Sequence, residues 1–470
     1  VGNGIGEILV GENGLLSTPA VSNLIRQSKA NGGLVLSASH NPGGPGKDFG
    51  IKFNNASGSP APESVTEAIY HNTQVIDQYK RVDLPPLDLS AGATYQFGHT
   101  TVKVVDSVED YANLMQSLFD FDRIREAISS GDLSLCFDGM HAVTGPYARR
   151  IFGDLLGVAT DALHNCEALS DFGGGHPDPN RVYARDLYDF MMSDAAPHLG
   201  AASDGDGDRN MIVGRGAFVS PSDSLALIAQ HHQSIPQFKS GLIGVARSMP
   251  TSTALDRVAQ HLNIPCYETP TGWKFFGNLL DEGLVRLCGE ESFGTSGDHV
   301  REKDGVWTVL CWMSILADKK VSVAQLLSQH WTAFGRSYYC RHDYEGLDAD
   351  KANSVMEHLV NSRGTLLGRQ CGPMTISDVN VFRYEDPVDG SVSDNQGIRI
   401  VFDDHSRMVY RLSGTGTDSA TLRVYLEQIE RDAAKQSMDA IEYNQSLGEF
   451  ANSIAEIEAS CGLSQPTVRT

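Results

Sequence analysis

The chain has 470 residues, a formal net charge of −22, and 41% hydrophobic and 20% charged residues. That length exceeds what one hydrophobic core can organise and fits three or four domains, and the composition is that of a folded globular protein rather than a disordered one. So acidic a surface disfavours general nucleic-acid binding and adhesion to anionic membranes, which need basic patches to neutralise phosphate, so cations that hold a phosphorylated ligand must be concentrated in small loops.

In chain order, residues 7–10 read as a first strand, and Ser17-Thr18-Pro19 signals the start of a helix over 20–29. Residues 33–36 read as a strand that empties into a loop at 37–46. A second unit holds a strand at 134–137, a helix over 145–156 and a strand leading to Ser203. A third holds strands at 242–246, 264–268 and 284–287 with a helix over 254–261. This alternation of β-branched runs with amphipathic stretches is the α/β pattern, in which ligands bind in loops beyond the carboxyl ends of strands.

The apolar run 306–317 is too short to cross a bilayer and reads as a core helix. Residues 319–334 read as a linking helix, after which strands at 397–402, 408–412 and 422–426 crowd together as an α+β tail. The eight cysteines (Cys136, Cys166, Cys266, Cys288, Cys311, Cys340, Cys371, Cys461) have neither CxxC pairing nor zinc-ligand spacing, which suits reduced thiols in the cytosol.

Five loops carry chemistry. Ser37-Ala38-Ser39-His40-Asn41-Pro42-Gly43-Gly44 exposes a hydroxyl among backbone N–H groups, which suits a phosphate and equally suits a solvated turn. Asp204-Gly205-Asp206-Gly207-Asp208-Arg209 places three carboxylates at alternate positions, where their repulsion in a buried site calls for a cation, the alternative being a solvated acidic turn. All-oxygen donors select a hard ion, and few ligands favour Mg²⁺. A calcium loop starting at Asp204 would need Gly and Glu where Arg209 and Arg215 stand, so that reading fails.

Thr269-Pro270-Thr271-Gly272-Trp273-Lys274 and Gly289-Glu290-Glu291-Ser292-Phe293-Gly294 offer hydroxyls and carboxylates to sugar hydroxyls, or else cap the following helices. Arg301-Glu302-Lys303-Asp304-Gly305 reads as a solvated charge cluster opening a helix. Arg411-Leu412-Ser413-Gly414-Thr415-Gly416-Thr417, with Arg423, combines hydroxyls, glycine amides and guanidinium groups as a phosphate clamp.

Together these motifs, with Phe172-Gly173-Gly174-Gly175-His176-Pro177-Asp178-Pro179-Asn180 and Arg247-Ser248-Met249-Pro250-Thr251-Ser252, resemble the phosphoglucomutase and parafusin branch of the α-D-phosphohexomutase superfamily across essentially the whole chain. The resemblance implies three α/β domains and a C-terminal α+β domain around a central active-site cleft, with boundaries at 1–104, 105–220, 221–322 and 323–470. It implies that Ser39 carries a phosphate and that Ser39, Asp204, Asp206 and Asp208 bind Mg²⁺, with Arg209 neutralising the transferring group. Thr271, Gly272, Glu290 and Ser292 would read sugar hydroxyls, and Arg411, Ser413, Gly414, Thr415, Thr417 and Arg423 would hold the second phosphate. His40, Lys52 and Lys303 are the candidates for proton transfer or charge neutralisation.

The implied reaction interconverts glucose 1-phosphate and glucose 6-phosphate in the cytoplasm, with glucose 1,6-bisphosphate as intermediate and activator. The alternative is a parafusin-like phosphoprotein of secretion or signalling with little or no mutase activity. The hexose phosphate is the expected partner, with no nucleic acid and no transmembrane segment. Ser37 stands where the family usually has Thr. The family also carries a Gly-Thr-Ser-Gly-Leu-Arg segment ahead of the position where this sequence starts at Val1, so the resemblance predicts an incomplete first domain in the numbered chain.

Overall fold

Residues 1–413 and 419–470 are described by a computed structural model, and they fall into two compact units. The first comprises Val1–Pro221, His231–Ile243 and Phe276–Ala324; the second comprises Ser222–Gln230, Gly244–Phe275 and Gln325–Thr470. Among the described residues, no helix is long and apolar enough to cross a membrane.

In the first unit, the strand Glu7–Gly11 pairs in parallel with Thr100–Val105. Between them in sequence comes the helix Thr18–Ser28, capped by the Ser17 side chain with Pro19 in its first turn. An antiparallel pair, Gly32–Ser37 with Gly50–Asn55, then carries the Ser39 loop at one end and Lys52 on its second strand.

A five-stranded sheet follows in the order Ala217–Val219, Asn210–Gly214, Leu199–Ser203, Leu135–Asp138, Leu163–His164. Every residue of Leu199–Ser203 and Asn210–Gly214 is buried, as a strand covered on both faces requires. These two strands are antiparallel neighbours, and the aspartate run 204–209 is the connection between them.

The helix Gly305–Lys319 is buried over nearly all its length, including Trp307 and Trp312, so it is a core helix apolar on every side. It stops at Lys320, which adopts a left-handed conformation with φ of 52°, and a separate helix spans Val323–Phe334. The expected single linking helix over 319–334 is therefore shorter, because its first residues close the preceding element.

The charged segment ahead of the core helix corrects the sequence expectation. Arg301, Glu302 and Asp304 are only 7%, 3% and 0% exposed, not solvated. Asp304 does open the helix, accepting from the Trp307 N–H at 3.0 Å, and it also takes the Tyr111 hydroxyl at 2.6 Å. Each charge is paired with a group far along the chain, which local polarity cannot reveal: Arg301 with Asp281, Glu302 with Asn54, Lys303 with Asp208.

In the second unit, Val245–Ser248 and Cys266–Thr269 pair in parallel, the first beginning three residues and the second two residues later than the periodicity predicts. The expected first strand includes Ile243, which is 55% exposed, so the apolar run begins before the pairing does. The tail is a seven-stranded antiparallel sheet ordered Gln370–Cys371, Met374–Val381, Ile398–Phe402, Arg407–Ser413, Ser419–Glu430, Arg336–Asp348, Val468–Arg469. Its inward face packs on the helices Ala349–Asn361 and Gln445–Ile454 through Ile400, Leu422, Val355 and Leu447, which gives the expected α+β domain.

Candidate active site

The Ser39 loop and the aspartate loop meet in the first unit. Ser39 has φ of 57°, a left-handed conformation that a non-glycine residue holds only when its surroundings impose it. Here the Ser37 side chain accepts the Ser39 N–H at 2.9 Å, and the Ser39 carbonyl lies against Gly205. The turn aims the Ser39 hydroxyl at Asp206, to which it donates at 3.2 Å, with His40 Nδ1 3.4 Å from the same oxygen.

Asp204, Asp206 and Asp208 are 0%, 3% and 0% exposed, and one oxygen from each lies within 4.8 Å of the others. Asp204 Oδ1 accepts the backbone N–H groups of Asp208 and Arg209 at 2.8 and 2.9 Å, which folds the loop back on itself. Asp206 Oδ2 accepts from Thr18 Oγ1 at 2.7 Å and from Lys52 Nζ at 2.5 Å. Lys52 and Lys303 both approach Asp208 Oδ2, at 3.3 and 3.1 Å.

Two carboxylate oxygens, Asp204 Oδ2 and Asp208 Oδ1, are buried with no hydrogen-bond partner among the described residues. Buried anionic oxygens left unpaired are costly, and a hard divalent cation is the group that three convergent carboxylates satisfy. These residues fit the implied Mg²⁺.

The electrostatics agree. Burial, and then Asp208 and Asp206, push the Asp204 carboxyl well above its ordinary value. Burial also acts against ionisation of Asp208, yet Lys303 and Lys52 outweigh it and hold that carboxyl low. Burial and the neighbouring Arg209 pull the His40 imidazole down to about 3, so it is neutral at pH 7. Arg209 reaches Asp178 at 3.5 Å, which fixes the guanidinium beside the loop.

Glu290 ends the strand Leu287–Glu290, is 4% exposed, and helps hold Lys303 protonated; Ser292 follows in the turn to Gly294–Gly297. The remaining candidates belong to the second unit. Thr271 Oγ1 is buried without a hydrogen-bond partner among the described residues, beside Gly272 at φ of 125°. Arg411 and Arg423 are register neighbours on adjacent strands, with Ser413 at the end of the first; Arg411 donates to the Tyr425 hydroxyl at 3.3 Å. Gly414, Thr415 and Thr417 lie outside the described residues.

Sequence reasoning missed Thr18 and left Asp178 without a role. Thr18 sits in what reads as an ordinary helix start, and only its contact with a residue 188 positions away makes it part of the site. Asp178 had a signal, since it lies within the Phe172–Asn180 motif already singled out.

Comparison with known proteins follows the same layout. Residues 1–80, 109–216 and 220–334 match the family models for phosphoglucomutase/phosphomannomutase α/β/α domains I, II and III, and residues 336–467 match that for the phosphoglucomutase-1 C-terminal domain. The phosphoglucomutase of Rhizobium radiobacter is 54% identical over 99% of this chain and 86% of its own length. The chloroplastic phosphoglucomutase 1 of Marchantia polymorpha is 52% identical over 100% of this chain and 74% of its own. Among solved structures, the open form of the Paramecium exocytosis-sensitive phosphoprotein pp63/parafusin, also named a phosphoglucomutase, superposes with a TM-score of 0.90 at 48% identity, covering 100% of this chain and 86% of that one.

Proposed function

The chain belongs to the phosphoglucomutase/phosphomannomutase family, and from that premise we propose that it is a phosphoglucomutase, interconverting glucose 1-phosphate and glucose 6-phosphate through a phosphorylated Ser39. The observation that carries the reading is the Ser39 hydroxyl held 3.2 Å from Asp206 at a buried aspartate triad. The Paramecium protein bears both the phosphoprotein and the mutase name, so that likeness does not favour a phosphoprotein without mutase chemistry.

In this reading the phosphoryl group on Ser39 Oγ passes to the free 6-hydroxyl of glucose 1-phosphate, giving glucose 1,6-bisphosphate. The bisphosphate then returns its 1-phosphoryl group to Ser39 and leaves as glucose 6-phosphate. Asp204, Asp206, Asp208 and an oxygen on Ser39 would hold Mg²⁺, which when bound would supply Lewis-acid charge for phosphoryl transfer. Arg209, Lys52 and Lys303 add positive charge, and the raised affinity of both lysines for their protons suits that role.

With both lysines held protonated, neutral His40, beside the serine oxygen, is the one of the three candidates left to take a proton from the sugar hydroxyl. Thr271, Gly272, Glu290 and Ser292 orient the sugar, and Arg411, Ser413, Gly414, Thr415, Thr417 and Arg423 hold the phosphate that is not reacting. Glucose 1,6-bisphosphate serves as activator by rephosphorylating Ser39. The cytoplasm suits the eight free thiols. A coupled assay for glucose 6-phosphate from glucose 1-phosphate, with and without bisphosphate primer, tests the reading. Turnover that needs Mg²⁺ and is stimulated by primer supports it, and none under any of these conditions overturns it.

A further inference from the structure

One carboxylate in the second unit collects three guanidinium groups from three strands. Glu268 lies on Cys266–Thr269, three residues before Thr271. Its Oε1 accepts from Arg247 Nη1 at 2.9 Å, on the parallel neighbour strand, and lies 3.6 Å from Arg407. Its Oε2 accepts from Arg399, on Ile398–Phe402.

Arg407 begins the strand Arg407–Ser413, so it lies on the same strand as Arg411 and Ser413, four and six residues ahead of them. It also donates to Glu427 at 2.7 Å, to the Met249 carbonyl at 2.9 Å and to the Thr251 carbonyl. Arg247 and Arg407 are 3% and 4% exposed, and Glu427 is 1% exposed. Arg247 has a second partner in Asp256, so Glu268, Asp256 and Glu427 balance Arg247, Arg399 and Arg407 one for one. Burial pushes the Glu268 carboxyl up, but the three arginines outweigh it and hold it below its ordinary value.

Both Glu268 oxygens are engaged by guanidinium groups, which does not mark the residue as a ligand for substrate. Its geometry instead ties the strand that feeds the sugar-reading loop to the strand that delivers the phosphate-holding arginine. We propose that Glu268 is a positioning residue for the mutase reaction, fixing the spacing between the Thr271–Gly272 loop and Arg411–Ser413 and thereby setting affinity for hexose phosphates.

The proposal rests on the functional reading above. A hexose phosphate held at its hydroxyls and at its non-reacting phosphate needs those two loops at a fixed separation, and both substrates use the same separation. Loosening it removes binding that ground and transition states share, so KM rises while kcat holds. A charge-balanced network that is partly buried and shares its partners also responds to loss of one charge beyond the pair that is broken.

The test compares the full chain with Glu268→Gln, Glu268→Asp and Arg399→Gln, at saturating Mg²⁺ and primer. Glu268→Gln is expected to raise KM for glucose 1-phosphate and for glucose 6-phosphate by a common factor of about 10, with kcat within about threefold. Glu268→Asp recovers part of that loss, and hydrogen exchange across residues 407–413 accelerates in Glu268→Gln. Arg399→Gln shifts KM the same way and, combined with Glu268→Gln, adds less than the product of the two factors. It carries the test alone if Glu268→Gln does not fold.

Unchanged KM for both variants overturns the proposal, as does a fall in kcat that merely tracks the folded fraction. If the unaltered protein shows no turnover, the functional reading has failed. The exchange experiment then still decides the coupling: faster exchange at 407–413 supports it, and unchanged exchange ends it.

Discussion

Ser39 and Gly205 show how one atom sets the geometry of the reacting group. A Cβ on Gly205 would stand 1.9 Å from the Ser39 carbonyl oxygen, so no other residue allows the aspartate loop to approach the serine turn. Gly205→Ala should therefore displace Ser39 from Asp206 and lower kcat/KM by about 100-fold, since misplacement near 1 Å costs that much. Activity within a factor of about three would mean the loops tolerate separation. Asp206→Asn should leave Ser39 in place but slow phosphate exchange by at least about 100-fold, because the carboxylate that accepts from Thr18 and Lys52 and would help hold the cation loses its charge.

At this scale the sequence is most legible where chemistry dictates spacing. Three aspartates alternating with glycines read as a candidate cation site from sequence alone, and the structure brings one oxygen of each within 4.8 Å of the others. Thr18 is not legible, because its role arises from tertiary contact and its local signal is that of a helix start.

The helix Gly305–Lys319 illustrates the scale above. Its apolar run is legible because no other composition suits a helix buried on every side. The charged residues before it are misread because polarity predicts exposure only when no partner is available. Asp304 has three partners: the Trp307 N–H, the Tyr111 hydroxyl and His299 Nε2, the last at 2.9 Å. Asp304→Ala removes the cap and strands two buried polar groups, so it should destabilise the first unit by about 2–4 kcal/mol, measured by urea unfolding followed through tryptophan fluorescence. A loss below about 0.5 kcal/mol would return Asp304 to the solvated reading. Strand boundaries in the second unit drift for a related reason: an apolar run marks burial, and hydrogen bonding decides which of its residues pair.

For the whole molecule, solution conditions act through groups whose protonation or ligation differs between folded and unfolded states. His342 lies in the core of the C-terminal domain, where burial and then Arg469 pull its imidazole down to about 4 from an ordinary 6.5. The unfolded chain takes up this proton first. The stability His342 contributes is thus complete above pH 6.5 and drains away as the pH falls through 4, by up to about 3 kcal/mol. Melting curves at pH 7.5 and 5.0 should show this loss in the native protein and a smaller one in His342→Asn; equal losses would place the acid sensitivity elsewhere.

Cation binding works in the opposite sense. Mg²⁺ at about 100 times its dissociation constant should stabilise the folded state by about 2.7 kcal/mol, and chelation should reverse the gain. Asp206→Asn should abolish most of it, and an equal Mg²⁺ effect in that variant would remove the triad from the cation site.

The central claim is that Ser39 stores the phosphoryl group that reaches the sugar. Protein carrying isotopically labelled phosphate, incubated with glucose 1-phosphate and Mg²⁺, tests it most directly. Label is expected on Ser39 at the start, then in glucose 1,6-bisphosphate and hexose monophosphate within a few turnovers, and not in free phosphate. Label that stays on the protein through many equivalents of substrate, or that sits on a residue other than Ser39, would contradict the account.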